Sequence, residues 1–375
     1  MHTPVYLDTS ATVDAFLTSI ANARILALDT EGASFHRFVD RIYLLQLSTR
    51  EQTAIIDPMP IGTPALLGKL LEDREVEVVF HDADYDLRLL QQDYHWHVRN
   101  IFDTRVAAQL LGLRAFGLAA LLERYFGVKL DKKFQRADWS MRPLSQGMLD
   151  YAAQDTIHLL ELRDRLHHDL DRAGRLDWAR EEFALLEGTR WADEDPAASF
   201  LRIKGARDLT RRELALLREL VPWRDDIARA MDRATFRVLG NEQLLEIAKR
   251  RPSSRDELAT IKGMPRGLLD ARAGEMIAAV QRGLAVPDAE LPRFPKSPRW
   301  DRDPDFESRV SALKAVRDEA AVRLDLDPGV LCSRDRLEAV ARKKPKSLEE
   351  LDSVTELRKW QRQVLGEAFV NALSK

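Results

Sequence analysis

Two stretches of the chain repeat one another without a gap. Ala248-Lys-Arg-Arg-Pro252 and Ala341-Arg-Lys-Lys-Pro345 lie 93 positions apart, and at that offset Ser254 meets Ser347 and Glu257-Leu258 meets Glu350-Leu351. Upstream, Arg224-Asp225-Asp226 matches Arg317-Asp318-Glu319 and Met231-Asp232 matches Leu324-Asp325; only Leu245-Glu246 and Leu337-Glu338 need a slip of one. Strand signals are missing here and apolar residues follow the 3.6-residue period of helices. Each copy therefore reads as one small all-α domain. Between the copies, Val286 to Asp305 holds Pro287, Pro292, Pro295, Pro298 and Pro304. Proline at that density stops helices and favours an extended spacer.

The first half has a different grammar. Arg24 to Leu28, Ile42 to Ser48, Thr53 to Ile56 and Val76 to Phe80 are short apolar runs of the kind that form buried strands. Helical patterns follow from about Pro64 to Leu71 and from Ala83, then a short strand into Ile101-Phe102, then helices, including a long one from about Ser145 to Leu170. Strands joined first by hairpins and later through helices predict a mixed sheet in an α/β domain. The acidic, aperiodic segment Trp191 to Ser199 reads as the linker that ends it. The expected domains are 1–195, 205–285 and 305–375.

Charge divides along the same line. Residues 1–200 carry 22 basic and 32 acidic side chains, whereas residues 201–375 carry 36 and 29, beneath a net charge of -3. An acidic half joined to a basic half suggests two tasks, one of them facing a polyanion or a membrane surface. No apolar run approaches the roughly 20 residues of a membrane helix. Cys332 is the only cysteine, which excludes an intrachain disulfide and thiolate metal sites and fits a reducing cytoplasm.

The acidic half contains three clusters that bear chemistry. Asp29 and Glu31 stand two apart at the end of the first run, so both carboxylates point to one side of an extended chain. Taken alone they suit two solvated turn acids as well as a hard divalent cation. His81-Asp-Ala-Asp-Tyr-Asp86 opens a helix after the central strand; Asp82 and Asp84 suit its N-terminus, Asp86 lies a turn deeper, and spacing does not choose among them. Tyr151 and Asp155, four apart, share a helix face flanked by apolar neighbours. A buried acid there needs a partner, which either a tyrosine hydroxyl or a metal supplies.

Asp-x-Glu at a strand end, His-x-x-x-x-Asp, and Tyr-x-x-x-Asp, in that order, resemble the three motifs of the DEDD superfamily of exonucleases in its tyrosine-bearing branch. Gln46-Leu-Ser48, Phe102-Asp-Thr104 and Asp138-Trp-Ser-x-Arg-Pro-Leu144 add to the likeness, and the repeats resemble HRDC domains. Nearly the whole chain is similar to the bacterial ribonuclease D family. The resemblance implies a ribonuclease H-like mixed-sheet exonuclease domain followed by two HRDC-like domains, and it selects Asp86 as the acid of the second motif. It further implies a 3′→5′ exoribonuclease that acts on tRNA precursors and releases 5′-mononucleotides. A DNA-directed exonuclease and a non-catalytic nucleic-acid adaptor are the alternatives, and the complete acid set argues against the adaptor.

Hydrolysing a phosphodiester needs an in-line water and relief of charge on the departing oxygen, which two Mg²⁺ or Mn²⁺ ions supply. The chemistry predicts Asp29 between the two ions, Glu31 and Asp155 on the side of the attacking water, and Asp86 beside the leaving oxygen. A tyrosine with its pKa near 10 is a poor base at neutral pH, so Tyr151 is expected to orient the water. Lys132, Lys133 and Arg136 suit phosphate contacts or a solvated loop equally. In the repeats, Lys249, Arg250, Arg251, Lys343 and Lys344 recur at matching places, as expected for contacts to a nucleic-acid backbone. The glycine-bearing turn Ile261 to Leu268 is expected to offer N–H groups to a phosphate; Val354 to Arg358 in copy two has lost it.

Overall fold

The computed structural model describes residues 3–131, 133–192, 195–295 and 303–374. The chain divides into two compact units. One holds the sheet domain together with the second helical copy; the other holds the first copy together with Ala33–Arg41.

Among the described residues, the sheet has six strands: β1 (Val5–Leu7), β2 (Ile25–Glu31), β3 (Leu44–Ser48), β4 (Thr53–Ile56), β5 (Glu77–Phe80) and β6 (Ile101–Asp103). Their order is β1-β4-β3-β2-β5-β6, with β3 antiparallel to β2 and β4 and the other pairs parallel. The mixed sheet is as the sequence predicts. β1 is absent from the sequence reading because three residues are too few to show a period. The helix after it, α1 (Ser10–Ser19), begins where the Thr9 hydroxyl accepts from the Thr12 N–H. A cap of that kind is legible in sequence, and here it passed unread.

Alternation along β2 sorts its residues onto two faces. Leu26 and Leu28 join the core beneath α1, α3 (Ala65–Glu72) and α4 (Asp84–Tyr94), the short α2 (Pro58–Ile61) lying between β4 and α3. Ala27 faces the other core, under α5 (Thr104–Leu110) and α6 (Leu118–Phe126). Period two then carries Asp29 and Glu31 to the Ala27 side at the strand's exit.

The single helix expected from Ser145 to Leu170 is instead two, α7 (Gln146–Ile157) and α8 (Leu159–Arg172), parted at His158. The two have different seats. α7 buries Ala152, Ala153 and Thr156 against β2, β3 and β4, with the Ser48 hydroxyl donating to Thr156 at 2.8 Å. α8 buries Leu159, Leu160, Leu162, Leu166 and Leu170 toward β2, β5 and α5. A straight rod cannot serve both, and His158 stacks on Phe126 at the corner.

The sheet domain ends with α9 (Leu176–Leu186), followed by the first copy: α10 (Arg211–Ala230), α11 (Thr235–Val238), α12 (Asn241–Arg250), α13 (Arg255–Ala259) and α14 (Arg266–Ala285). The second copy is α15 (Phe306–Leu324), α16 (Pro328–Leu331), α17 (Arg334–Lys343), α18 (Leu348–Asp352) and α19 (Lys359–Leu373). α11, α12 and α13 recur as α16, α17 and α18 with both ends at the 93-residue offset. Ser254 and Ser347 cap α13 and α18 alike, and Arg251 and Lys344 both take the left-handed conformation at a helix end. Both proposed linkers contain short turns of 3-10 helix, and parts of each, including Trp300, lie outside the described residues.

Copy one has a core of its own, whereas copy two shares one with the sheet domain. Trp178 of α9 stacks on Trp360 of α19, with ring centroids 4.7 Å apart and planes 16° apart. Glu181 accepts from the N–H groups of Lys359 and Trp360, filling the start of α19, and Glu182 accepts from the Trp360 indole at 2.9 Å. Trp360→Ala is therefore expected to cost about 3–5 kcal/mol, the range for emptying a large aromatic site, read as a lower urea midpoint. A loss under about 1 kcal/mol would show that copy two is only loosely attached.

Candidate active site

The site is assembled from strand exits and one helix face. Asp29 and Glu31 leave β2, and Asp155 approaches from α7. Each of the three offers an oxygen within 4.8 Å of the others. Asp86 is held separately: its Oδ1 accepts from the Thr30 backbone N–H at 3.0 Å and from the Thr30 hydroxyl at 2.5 Å. Thr30 thus ties Asp86 to the strand between the two acids of the first motif. Asp82 and Asp84 turn elsewhere, Asp82 to Arg105 and Asp84 to Arg88.

Asp103 does work that the spacing alone did not reveal. It is buried at the exit of β6 and accepts from the N–H groups of Arg105 and Val106 at the start of α5, and from those of Asp82 and Ala83 before α4. One carboxylate therefore fixes both the turn that carries Asp86 and the next helix start. His81 stays out of the acid cluster. Its Nδ1 lies 2.9 Å from the Thr104 hydroxyl, and burial pushes its pKa down to about 4.

The electrostatics are one-sided. Burial, then Asp86, Asp155 and Glu31, hold the Asp29 carboxyl far above the usual range. Burial, then Asp155 and Asp86, do the same for Glu31. Burial pushes Asp86 and Asp155 each up to about 7. No cationic side chain is among the causes of any of these shifts. Oxygen donors crowded in this way fit one or more hard divalent cations.

Tyr151 sits one turn before Asp155, half-buried, edge-on to Phe134 at 6.0 Å and tilted against Trp139 at 6.1 Å. Burial and then Asp155 raise its pKa further above 10. The Asp138-to-Leu144 loop that carries Trp139 is stapled to the sheet by Arg142, which pairs with Asp57 and donates to the carbonyls of Trp139 at 2.7 Å and Tyr43 at 2.8 Å. Trp139 Nε1 and both amide atoms of Gln46, which is paired in register with Asp29, are buried without a hydrogen-bond partner among the described residues. Lys132 lies outside the described residues; Lys133 covers the Phe134 ring.

The basic residues lie at the ends of α12 and α17, all exposed. Three have acidic neighbours: Arg250 pairs with Glu246, Arg251 with Glu213, and Lys344 with Asp303. Lys249 and Lys343 have no ion-pair partner among the described residues.

Residues 4–171 match the family described as 3′-5′ exonuclease, which sets the sheet domain in that class of enzyme, and residues 213–280 and 306–373 each match the HRDC domain. The chain is 31% identical over 367 residues to Ribonuclease D of Gluconacetobacter diazotrophicus, covering 97% of this chain and 91% of that one. It is 32% identical over 270 residues to exosome complex component 10 of Rattus norvegicus, covering 70% of this chain and 30% of that one. Its structure matches that of Escherichia coli RNase D with a TM-score of 0.76 and 25% identity, over 100% of this chain and 99% of that one. The chain belongs to the ribonuclease D family. Membership implies use of a divalent metal, and the donor set at the end of β2 fits it.

The acid cluster predicts a test without substrate. Carboxylates whose folded pKa is raised withdraw stability as pH climbs from the unfolded value near 4 to the folded value near 7. In EDTA, Asp155→Asn should therefore melt higher than the parent at pH 8, by an excess that vanishes toward pH 4. Mg²⁺ or Mn²⁺ should raise the parent's Tm at pH 8 and raise the variant's much less. A variant no more stable than the parent in EDTA would show that the acids do not repel one another.

Proposed function

We propose that the chain, a 3′→5′ exoribonuclease by family, trims the 3′ ends of tRNA precursors in the cytoplasm and releases 5′-mononucleotides. We assign the nuclease to residues 1–195 and the two HRDC-like domains to 205–285 and 305–375. The observation that carries the reading is the convergence of Asp29, Glu31 and Asp155 on one point, with no cationic side chain paired to them among the described residues and with Tyr151 a turn away. In solved relatives, Escherichia coli RNase D is described as an exoribonuclease involved in structured RNA processing.

Two Mg²⁺ or Mn²⁺ ions held here would supply positive charge for both the attacking and the departing oxygen. Asp29, whose carboxyl feels Asp86, Asp155 and Glu31 alike, would serve both. Glu31 and Asp155 would hold the ion on the side of the attacking water, and Asp86, fixed by Thr30, the ion on the side of the departing 3′ oxygen. The Tyr151 hydroxyl stays protonated and positions the water by hydrogen bonding, with Phe134 and Trp139 setting its ring. Lys249, Arg250, Arg251, Lys343 and Lys344 supply weak, sequence-independent attraction to the RNA backbone. Arg250, Arg251 and Lys344 act only as far as their acidic neighbours allow.

The test uses 3′-labelled RNA. The parent should release label as a mononucleotide with Mg²⁺ or Mn²⁺ and none in EDTA, and it should act faster on single-stranded RNA than on DNA of matched sequence. Asp29→Asn should stop turnover while RNA binding stays measurable. Faster DNA hydrolysis would favour a DNA-directed enzyme.

Tyr151→Phe separates orienting from packing. It should lower kcat about 10²- to 10³-fold, as when a single hydrogen bond aimed at the reacting group is lost, with little change in KM. A variant at the parental rate would sink the orienting role.

A further inference from the structure

Beside the first helical copy lies an exposed pair of aromatic rings. Phe35 and Phe236 are 45% and 46% exposed, yet they meet edge to face with centroids 5.0 Å apart. The Arg237 guanidinium lies 5.6 Å from the Phe35 ring centroid, and its Nε donates to the Phe35 carbonyl. The segment is anchored on either side. Phe38 packs against Ile227, Ala228 and Val238, and Asp232 accepts from the Phe38 N–H and pairs with Arg37. Ala234 donates to the His36 carbonyl at 3.2 Å. Phe38 thus does apolar work of attachment, while Phe35 and Phe236 stay about half exposed.

The second copy provides an internal control. It builds the same helices at an offset of 93 residues, and there Phe236 is replaced by Gly329, Arg237 by Val330 and Arg233 by Leu326. The fold of the repeat therefore requires neither the ring nor the two guanidinium groups. They occur only in the copy that holds Ala33–Arg41. That segment follows directly on β2. Whatever the arrangement of the two units, four residues of chain cannot part Phe35 from Glu31 by more than about 14 Å.

We propose that Phe35 and Phe236, with Arg237, form a stacking platform for the single-stranded 3′ segment of the RNA, a few nucleotides upstream of the bond that is cut. Exposed rings accept any base by its face, and a guanidinium group beside them meets the phosphates, which gives affinity without sequence preference. The acids in this region do not cancel that charge: Asp232 is occupied by Arg37, Asp226 by Arg229, and Asp40 accepts from the Ala33 N–H. Arg233 and Arg237 have no acidic partner among the described residues. The proposal rests on the exoribonuclease reading and adds to it where the strand is gripped.

The experiment measures binding of a 12-nucleotide single-stranded RNA by anisotropy in EDTA, and turnover of the same RNA with Mg²⁺. Phe35→Ala and Phe236→Ala should each weaken binding about tenfold or more, the loss of one stacked base. KM should rise in parallel, with kcat within twofold of the parent. Phe236→Leu, which keeps apolar bulk, should also weaken binding, whereas Phe236→Trp should retain the parental affinity. Parental affinity in Phe35→Ala, Phe236→Ala and Phe236→Leu would overturn the platform and leave the rings to a protein partner. A parent chain that releases no mononucleotide from the RNA would instead sink the exoribonuclease reading, which the binding arm does not touch.

Discussion

Four carboxylates pressed together at the end of a sheet are the constraint around which this protein is built. Burial pushes all four pKa values upward, with repulsion from the other acids added at Asp29 and Glu31, so the metal-free site opposes folding near neutral pH. The surroundings must hold the acids in place without help from the site. Thr30 ties Asp86 to β2, Asp103 clamps the turn that delivers it, and Ser48 pins α7, with Asp155, to β3. Each bond joins elements far apart in sequence, so the acids converge before any cation arrives. Preorganisation of this kind lets binding of a cation relieve strain already present.

The repeat shows how one helical unit is put to two uses. Both copies retain a buried arginine, Arg224 or Arg317, beside an adjacent aspartate, and both end α12 or α17 on a left-handed basic residue. Those features belong to the fold. Copy two has added an apolar seat, Trp360 on Trp178, which merges its core with that of the sheet domain. In each copy the turn after the first helix grips chain from the N-terminal half: Asp232 holds Arg37, and Asp325 holds Arg114.

Much of this was legible in the sequence because it rests on local pattern. β4 was read to the residue, the repeat set α11, α12 and α13 in register with α16, α17 and α18, and the carboxylate motifs named the acids that the structure brings to one end of the sheet. What escaped depends on long-range fit. The break at His158 exists because α7 and α8 have different seats, and no periodicity announces where a helix must turn. Asp103 reads as a cap for α5, yet half of its hydrogen bonds go back across the sheet to Asp82 and Ala83. The ion pairs that dilute Arg250, Arg251 and Lys344 are equally invisible in a list of basic residues.

The same reasoning separates the two copies in charge. A helix start can bind an anion only while its N–H groups are free. At the start of α19, Glu181 already accepts from Lys359 and Trp360, so that end is committed to holding copy two on the sheet domain. The matching start of α14 follows Gly263, in a left-handed turn at φ +80°, and Pro265 supplies no side-chain cap. A carboxylate at one helix end consumes the attraction that a phosphate would use. Copy two directs Arg358 to Glu182 and Lys344 to Asp303 and fills the start of α19 with Glu181, whereas the start of α14 carries no side-chain cap.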